Sequence, residues 1–456
     1  MGTFRHKGFR SAFDRRTALK YGAGLAGAAA LTGRGWPALA QDATPAASGG
    51  FDLSGMEVSG DVEIEYWQYE FESKTTLVDD VLIPQFMEQN PGIKVTPVSF
   101  PYDDFRQQVA AGVQAGEGPD VLNVYYGWIP AYVQQGFLQP LSQDAFPHDV
   151  IESDYFPMVT ASKVGEDYYA LPTAVRTLAL FCNNVILEAA GVAAPTNWEE
   201  TVEVAKATVK KNGDDFETVG MTWDIGGQGH HWWRECLVRQ NGQVPYSEDN
   251  RQVQWQEPKG VEAFEWLVAF LMEHQVTQNA FMTDGQTAFG NGAAALHVDG
   301  SYRVGSYAND FPDLDYSIVP LPANVEQGSF ASFWANTITR NAAEGDKNIA
   351  AHKFISFLSS PEVMRQWTPA TGELPARAAL ADEEQFTSDP KLAPFIESLP
   401  FSYATFLVNE AELRQDVIDA FDQVTLTDVD AQTAVEEAAS KTQVRLDEYW
   451  AAIDEG

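Results

Sequence analysis

The sequence predicts an α/β protein built as two lobes, and three observations predict it. Strand-like runs alternate with helical stripes from Val62 to Tyr125, the rhythm of a sheet with helices on its faces. The rhythm restarts past residue 160. The chain has 456 residues, which at roughly 100–200 residues per domain is enough for two or three domains. With 45% hydrophobic and 21% charged residues, the chain is neither disordered nor fibrous in type.

The elements follow in order. Val62–Trp67 (VEIEYW) alternates and is rich in β-branched and aromatic residues, so it reads as a strand. Leu77–Gln89 places Leu77, Val81, Leu82 and Phe86 on one helical stripe, and Asn90-Pro91-Gly92 stops it. Ile93–Val98 is the second strand, Phe105–Ala115 a helix, Gly116–Pro119 a breaker and Asp120–Tyr125 the third strand. Past residue 160, Leu178–Cys182, Gly290–Val298 and Tyr316–Val319 read as buried strands. Trp198–Lys210, Pro258–His274 and Asn348–Leu358 read as helices. The acidic tail from Thr427 is helical, with Val435, Ala438, Val444 and Tyr449 expected inward.

Charge excludes several function classes. The chain has 29 Lys+Arg against 65 Asp+Glu, a net charge of −36. Such a surface repels phosphates, which argues against nucleic acid and anionic membranes as partners. Two cysteines cannot build a disulfide scaffold or a four-Cys zinc site. Cys182, inside the apolar run LALFC, is expected as a free buried thiol rather than paired with Cys236.

Residues 1–40 differ from all that follows. They carry Arg5, Lys7, Arg10, Arg15, Arg16, Lys20 and Arg34 with a single acid, Asp14. Arg15-Arg16 precedes a short Ala/Gly-rich apolar run, and Ala38-Leu39-Ala40 is a small-x-small cleavage pattern. This is the grammar of a twin-arginine export signal. The run from Tyr21 to Leu31 falls short of the ~20 residues of a membrane span. Residues 41–56 are small, polar and Pro/Gly-bearing, as in a flexible tether.

At NPGIKV (Asn90–Val95) and AGEGPDVL (Ala115–Leu122) a resemblance appears. GFLQPL (Gly136–Leu141), Leu171-Pro172 with Leu180–Asn183, and Ala190-Gly191 with Pro195–Glu199 continue it. Gly290–Leu296 with Gly300-Ser301-Tyr302, then Pro320-Leu321-Pro322, then ELPAR (Glu373–Arg377) complete it. In this order the pieces resemble the extracytoplasmic solute-binding proteins of ABC importers, in the sugar-binding group that includes maltose-binding proteins. The resemblance implies a two-lobed periplasmic-binding-protein-like fold, with a ligand cleft between lobes joined by crossing hinge strands. By family position the crossings fall near Ala174–Arg176, Phe333–Asn336 and Arg377–Ala381. Lobe one is then 57–174 plus 336–380, and lobe two 175–335 plus 381–456. The resemblance further implies an ABC permease as partner, a monomeric receptor, and a periplasmic or secreted location. Ala40-Gln41 lacks the lipobox cysteine of many members, so a lipid anchor is not expected.

A sugar offers C–H faces to aromatic rings and a hydroxyl rim to planar polar groups. Open α/β sheets place ligands at strand ends, and aromatics gather there. Trp67, Tyr125, Trp128, Trp232 and Tyr302 are the expected stacking platforms. Asp103, Asp224 and Arg176 are the expected hydroxyl-binding groups, with Tyr102, Trp223, Trp334 and Arg377 beside them. Asp120 in GEGPD is expected to tie a turn rather than touch ligand. An aromatic contact contributes roughly 0.5–1.5 kcal/mol beyond its buried area, and a charged hydrogen bond roughly 1.5–3. A few of each reach micromolar affinity, roughly −8 kcal/mol.

No cofactor or metal is expected. His230-His231 lacks an H-x-x-x-H or Cys companion, and IGGQG lacks the Lys-Ser/Thr of a phosphate loop. The leading function is a non-catalytic sugar or oligosaccharide receptor. A receptor for glycerol-3-phosphate or a phosphodiester, using Arg176, Arg234, Arg303 and Arg377, is the first alternative. A secreted glycosidase is the second, with no catalytic motif to support it.

Overall fold

A computed structural model describes residues 51–427 and 429–455. The expected export signal and most of the expected tether lie outside them. Eight strands carry the architecture: β1 (Val62–Tyr69), β2 (Ile93–Phe100), β3 (Val121–Tyr125), β4 (Ala170–Asn183), β5 (Asp215–Thr222), β6 (Ala294–Gly300), β7 (Tyr316–Val319) and β8 (Ser329–Thr339). They run in one sheet in the order β2-β1-β3-β8-β4-β6-β5, with β7 also on β4. Pairing is parallel among β1, β2 and β3, and between β5 and β6. It is antiparallel where β8 meets β3 and β4, and where β6 and β7 meet β4.

Two long strands tie the lobes together. The first half of β4, through Thr177, pairs with β8. Its second half, Leu178–Asn183, pairs with β6 and β7. β8 likewise pairs with β3 through Trp334–Ile338, and its register on β4 shifts between Trp334 and Ala335. Nearly every residue of β4 and all of β8 are buried. Helices cover both faces, so these strands read as continuous apolar runs rather than alternating ones.

The helices used below are α1 (Tyr102–Ala115), α2 (Trp198–Thr208), α3 (Pro258–Met272), α4 (Gly285–Gly290), α5 (Arg303–Asp310), α6 (Gly345–Leu358), α7 (Pro361–Thr371), α8 (Glu410–Thr427) and α9 (Ala431–Glu455). The start of α2 shows how sequence sets a boundary. The Asn197 side chain accepts from the Glu200 backbone N–H at 2.9 Å, satisfying a donor the first turn leaves free. Gly220 lets β5 meet α2, since a Cβ there would lie 2.1 Å from the Ala205 carbonyl oxygen.

Several sequence boundaries move. Leu77–Gln89 is two helical pieces, Glu72–Leu77 and Ile83–Gln89, joined by a π-turn at Val78–Leu82. Gly290 ends a helix, and the strand begins only at Ala294. The acidic tail from Thr427 is helix α9, which follows α8, and Val444 on α9 is 55% exposed rather than inward. Val435, Ala438 and Tyr449 do face the core. Cys182 and Cys236 are buried free thiols. Asp120 ties its turn, accepting from the Glu65 N–H at 2.9 Å and pairing with Lys347 at 2.9 Å. No described helix is long and apolar enough to cross a membrane.

Candidate functional site

A cavity of about 540 Å³ opens where β1, β3, β4 and β8 meet the turn after β6. Its walls include Tyr69, Tyr125, Tyr302, Trp334 and three arginines, Arg176, Arg303 and Arg414. A neighbouring cavity of about 670 Å³ is lined by Trp128, by Arg106 and Gln107 of α1, and by Asn409 and Glu410 at the start of α8. Trp334 and Trp128 meet edge to face at 5.4 Å between them.

The aromatic floor is continuous. Trp334 lies at the register shift of β8, with Tyr69 at 4.1 Å, Tyr125 at 5.7 Å and Phe105 at 6.0 Å. Tyr125 and Trp128 sit 5.9 Å apart. Gly127 between them is required: a Cβ would fall 2.6 Å from Leu407 Cδ1 and 2.9 Å from the Tyr125 ring. Lys74 is buried behind Tyr69, with Nζ 3.5 Å from the ring centroid and 2.7 Å from the Tyr69 carbonyl oxygen it donates to. Burial pushes the Lys74 ammonium well below its ordinary value.

Each arginine of the cavity faces its own carboxylate. Arg176, in mid-β4, pairs with Glu373 and donates to the Tyr69 hydroxyl, while its guanidinium lies 5.1 Å from the Tyr302 ring. Glu373 in turn accepts from Trp367 Nε1 at 2.7 Å. Burial works against the charge on Arg176, but the Glu373 carboxylate together with Tyr69 and Tyr302 outweighs it, so Arg176 stays firmly cationic. Arg303 donates to Asp299 at 2.7 Å, and Asp299 also accepts from the Tyr302 hydroxyl at 2.7 Å. Burial alone would raise the Asp299 carboxyl, but Arg303, His297 at 3.2 Å and the Tyr302 hydroxyl hold it well below the usual carboxylate range. Arg414 pairs with Glu410 on α8. The cavity is rich in directional donors yet electrostatically balanced, and Glu70 on its rim adds one more anion. Such a lining suits an uncharged, hydroxyl-rich, ring-shaped ligand.

The structure sorts the sequence-predicted residues into four groups. Tyr125, Arg176, Tyr302 and Trp334 line the main cavity, and Trp128 lines its neighbour. Trp223 and Asp224 line a separate cavity beyond the end of β5. Tyr102 and Asp103 open α1, whose Arg106 and Gln107 reach the neighbouring cavity. The remaining three are corrected. Trp67 lies inside β1 with its ring 5.2 Å from Phe100, away from the described cavities. Trp232 is 2% exposed and packs edge-on against Trp223 and Trp266, so it is core. Arg377 is buried, pairs with Asp154 at 2.6 Å and lies 4.9 Å from the Tyr155 ring, a structural charge. Arg234 is likewise fully buried beside Glu235 at 3.3 Å, which removes it from any ligand site.

Gln286, Ser306, Ser332, Glu373 and Arg414 were not singled out in the sequence, and of Trp67 and Tyr69, the two aromatics at the predicted end of the first strand, Trp67 was preferred. Tyr69 had a legible signal: it lies two residues beyond Trp67 on the same strand face, about 6.6 Å nearer the strand end. Among the described residues no group of three or more His, Cys, Asp or Glu is placed to hold a metal ion. His231 instead stacks on Phe330 at 3.7 Å.

A family model for bacterial extracellular solute-binding proteins matches residues 82–394. The maltotriose-binding protein of Pyrococcus abyssi is 23% identical over 329 residues, 71% of this chain and 68% of that protein. The arabinooligosaccharide-binding protein of Halalkalibacterium halodurans is 22% identical over 356 residues, 74% of this chain and 76% of that one. Among solved structures, an ABC transporter solute-binding protein from Thermotoga lettingae bound with α-D-tagatose superposes with a TM-score of 0.74. It is 18% identical, and the match covers 84% of this chain and 99% of that one. The two-lobed fold is therefore shared. The family model spans more than half of the sequence, and the chain belongs to the bacterial extracellular solute-binding proteins.

Proposed function

We propose that this protein is the extracytoplasmic receptor of an ABC importer and binds an uncharged sugar or oligosaccharide between its lobes. The observation that carries this reading is the pairing of an aromatic floor with arginines that are each neutralised. Tyr69, Tyr125, Trp128, Tyr302 and Trp334 supply ring faces, while Arg176, Arg303 and Arg414 are held by Glu373, Asp299 and Glu410. The relatives named above bind maltotriose and arabinooligosaccharide, which supports the same ligand class. A phosphate ligand is not favoured, because it would have to compete with three resident carboxylates for the same cations.

The receptor works by closing. Ligand touching groups on both sides of the crossing strands favours the closed state, and moving a 1:99 population to 99:1 takes about 5.5 kcal/mol of differential affinity. The closed form, as a monomer, is offered to the permease. The protein reaches its compartment by the twin-arginine route and performs no chemistry on its ligand. A thermal-shift screen against neutral sugars, uronic acids, glycerol-3-phosphate and amino acids tests this. At 100 times its dissociation constant a ligand adds about 2.7 kcal/mol. A shift with one neutral saccharide class, recovered unhydrolysed, is expected. A shift only with phosphates, or release of hydrolysed product, overturns the reading.

A further inference from the structure

Asparagine is chemically labile, most of all before glycine, where no Cβ hinders the backbone nitrogen from reaching the side-chain Cγ. The sequence holds three such pairs: Asn212-Gly213, Asn241-Gly242 and Asn291-Gly292. Attack needs a free glycine N–H, a free asparagine amide and water at hand. The fold grants these conditions unequally.

Asn241 is locked in place. It is 7% exposed, and its Nδ2 donates to the Lys259 carbonyl oxygen at 2.7 Å and to Glu262 at 3.1 Å. Its Oδ1 accepts from Asn324 at 2.9 Å, and the Gly242 N–H donates to the Arg239 carbonyl oxygen at 2.7 Å. Asn291 is exposed but held. Its Nδ2 donates to the Thr287 carbonyl oxygen at 2.8 Å, and the Gly292 N–H to that of Phe289 at 2.9 Å. Asn212 differs in every respect. It ends the short strand Lys210–Asn212, which pairs antiparallel with β5 across the turn Gly213-Asp214. Every residue from Lys210 to Asp215 is exposed. Among the described residues neither the Asn212 side-chain amide nor the Gly213 N–H has a hydrogen-bond partner. A Cβ on Gly213 would meet nothing within 4 Å, so the turn is uncrowded.

We propose that Asn212 is a self-modification site, where the chain converts through a succinimide to aspartyl and isoaspartyl forms. The Gly213 nitrogen bonds to Asn212 Cγ, the Cγ–Nδ2 bond breaks, and ammonia leaves with the proton that the nitrogen gives up. Water then opens the ring. Opening at the former side-chain carbonyl gives aspartate, and opening at the main-chain carbonyl gives isoaspartate; nothing is oxidised or reduced. Either product replaces a neutral amide with a carboxylate that is ionised at neutral pH. The isoaspartyl form also adds one carbon to the main chain, which disturbs the register of Lys210–Asn212 on β5 at the edge of the sheet.

The test holds the purified protein at mildly alkaline pH, folded in buffer and unfolded in guanidinium chloride. Mass spectrometry follows the three Asn-Gly peptides, and enzymatic carboxyl methylation scores isoaspartate. In the folded protein the Asn212 peptide should gain one dalton and become a methyl acceptor. Its rate should exceed that of either other pair by on the order of tenfold or more, because theirs must first break hydrogen bonds. Unfolded, the three rates should converge, and Asn212→Ser should remove the fast phase. Folded-state conversion at Asn241 or Asn291 as fast as at Asn212 would overturn the inference. So would a preference for Asn212 that persists undiminished in guanidinium chloride, or a fast phase that survives Asn212→Ser.

Discussion

Glu373→Gln is the most informative single change, because Glu373 holds a charge at the centre of the cleft. Its carboxylate faces two donors, the Arg176 guanidinium and Trp367 Nε1. A glutamine amide offers one acceptor oxygen and one NH2, so in either orientation it turns a donor toward a donor. Arg176 keeps its charge with a side chain only 14% exposed and loses its anion. Removing one partner of a buried pair costs about 3–5 kcal/mol. At roughly 2–4 °C per kcal/mol for a lobe-sized unit, the melting temperature should fall by about 6–20 °C. A second readout is specificity: with the cavity one charge more positive, a uronic acid should gain affinity over its neutral sugar. Thermal unfolding followed by calorimetry measures both. A melting temperature within about a degree of wild type, with unchanged preference for the neutral sugar, would refute the argument that Glu373 balances the cleft.

Further outcomes follow from the same geometry. Trp128→Ala should weaken saccharide binding severalfold in calorimetric titration, from the roughly 0.5–1.5 kcal/mol of an aromatic contact, whereas Trp67→Ala should leave the affinity unchanged. Trp232→Ala should cost about 3–5 kcal/mol of stability as a core truncation, read by denaturant unfolding. Gly127→Ala should displace the Tyr125 ring and reduce affinity with little change in secondary structure. Burial, with His230 and Arg234 adding to it, holds the His231 imidazole well below its ordinary 6.5. Its contribution to stability is therefore full above pH 6.5 and is lost as pH falls below it, by up to about 1.4 kcal/mol per unit. Unfolding free energies measured from pH 7.5 to 5 should show that slope, flattened in His231→Asn.

The fold was largely legible because its signal is local. The strand and helix stripes from Val62 to Tyr125 depend on periodicity, and periodicity survives without tertiary context. The site was legible only where strand ends were. Tyr125 ends β3, Trp128 and Tyr302 come just after β3 and β6, and all three line the cavities. Trp67 misled because β1 continues to Tyr69, so the ring nearest the predicted end lies in the strand interior. Trp232 misled because an aromatic beside a glycine-rich loop looks the same in sequence whether it faces core or cleft. Only packing against Trp223 and Trp266 decides it. Arg414 and Glu373 were invisible for another reason. Each lies far along the chain from Arg176 and Tyr302, and only the crossing of the lobes brings them together.

The central claim is that the cleft takes an uncharged saccharide because its arginines are already neutralised. The most direct measurement is a calorimetric comparison of each neutral sugar that binds with its uronic acid and its phosphate ester, at two salt concentrations. The account predicts tight, salt-insensitive binding of the neutral sugar and loss of affinity for both anions. Tighter binding of an anion, weakening as salt rises, would contradict it.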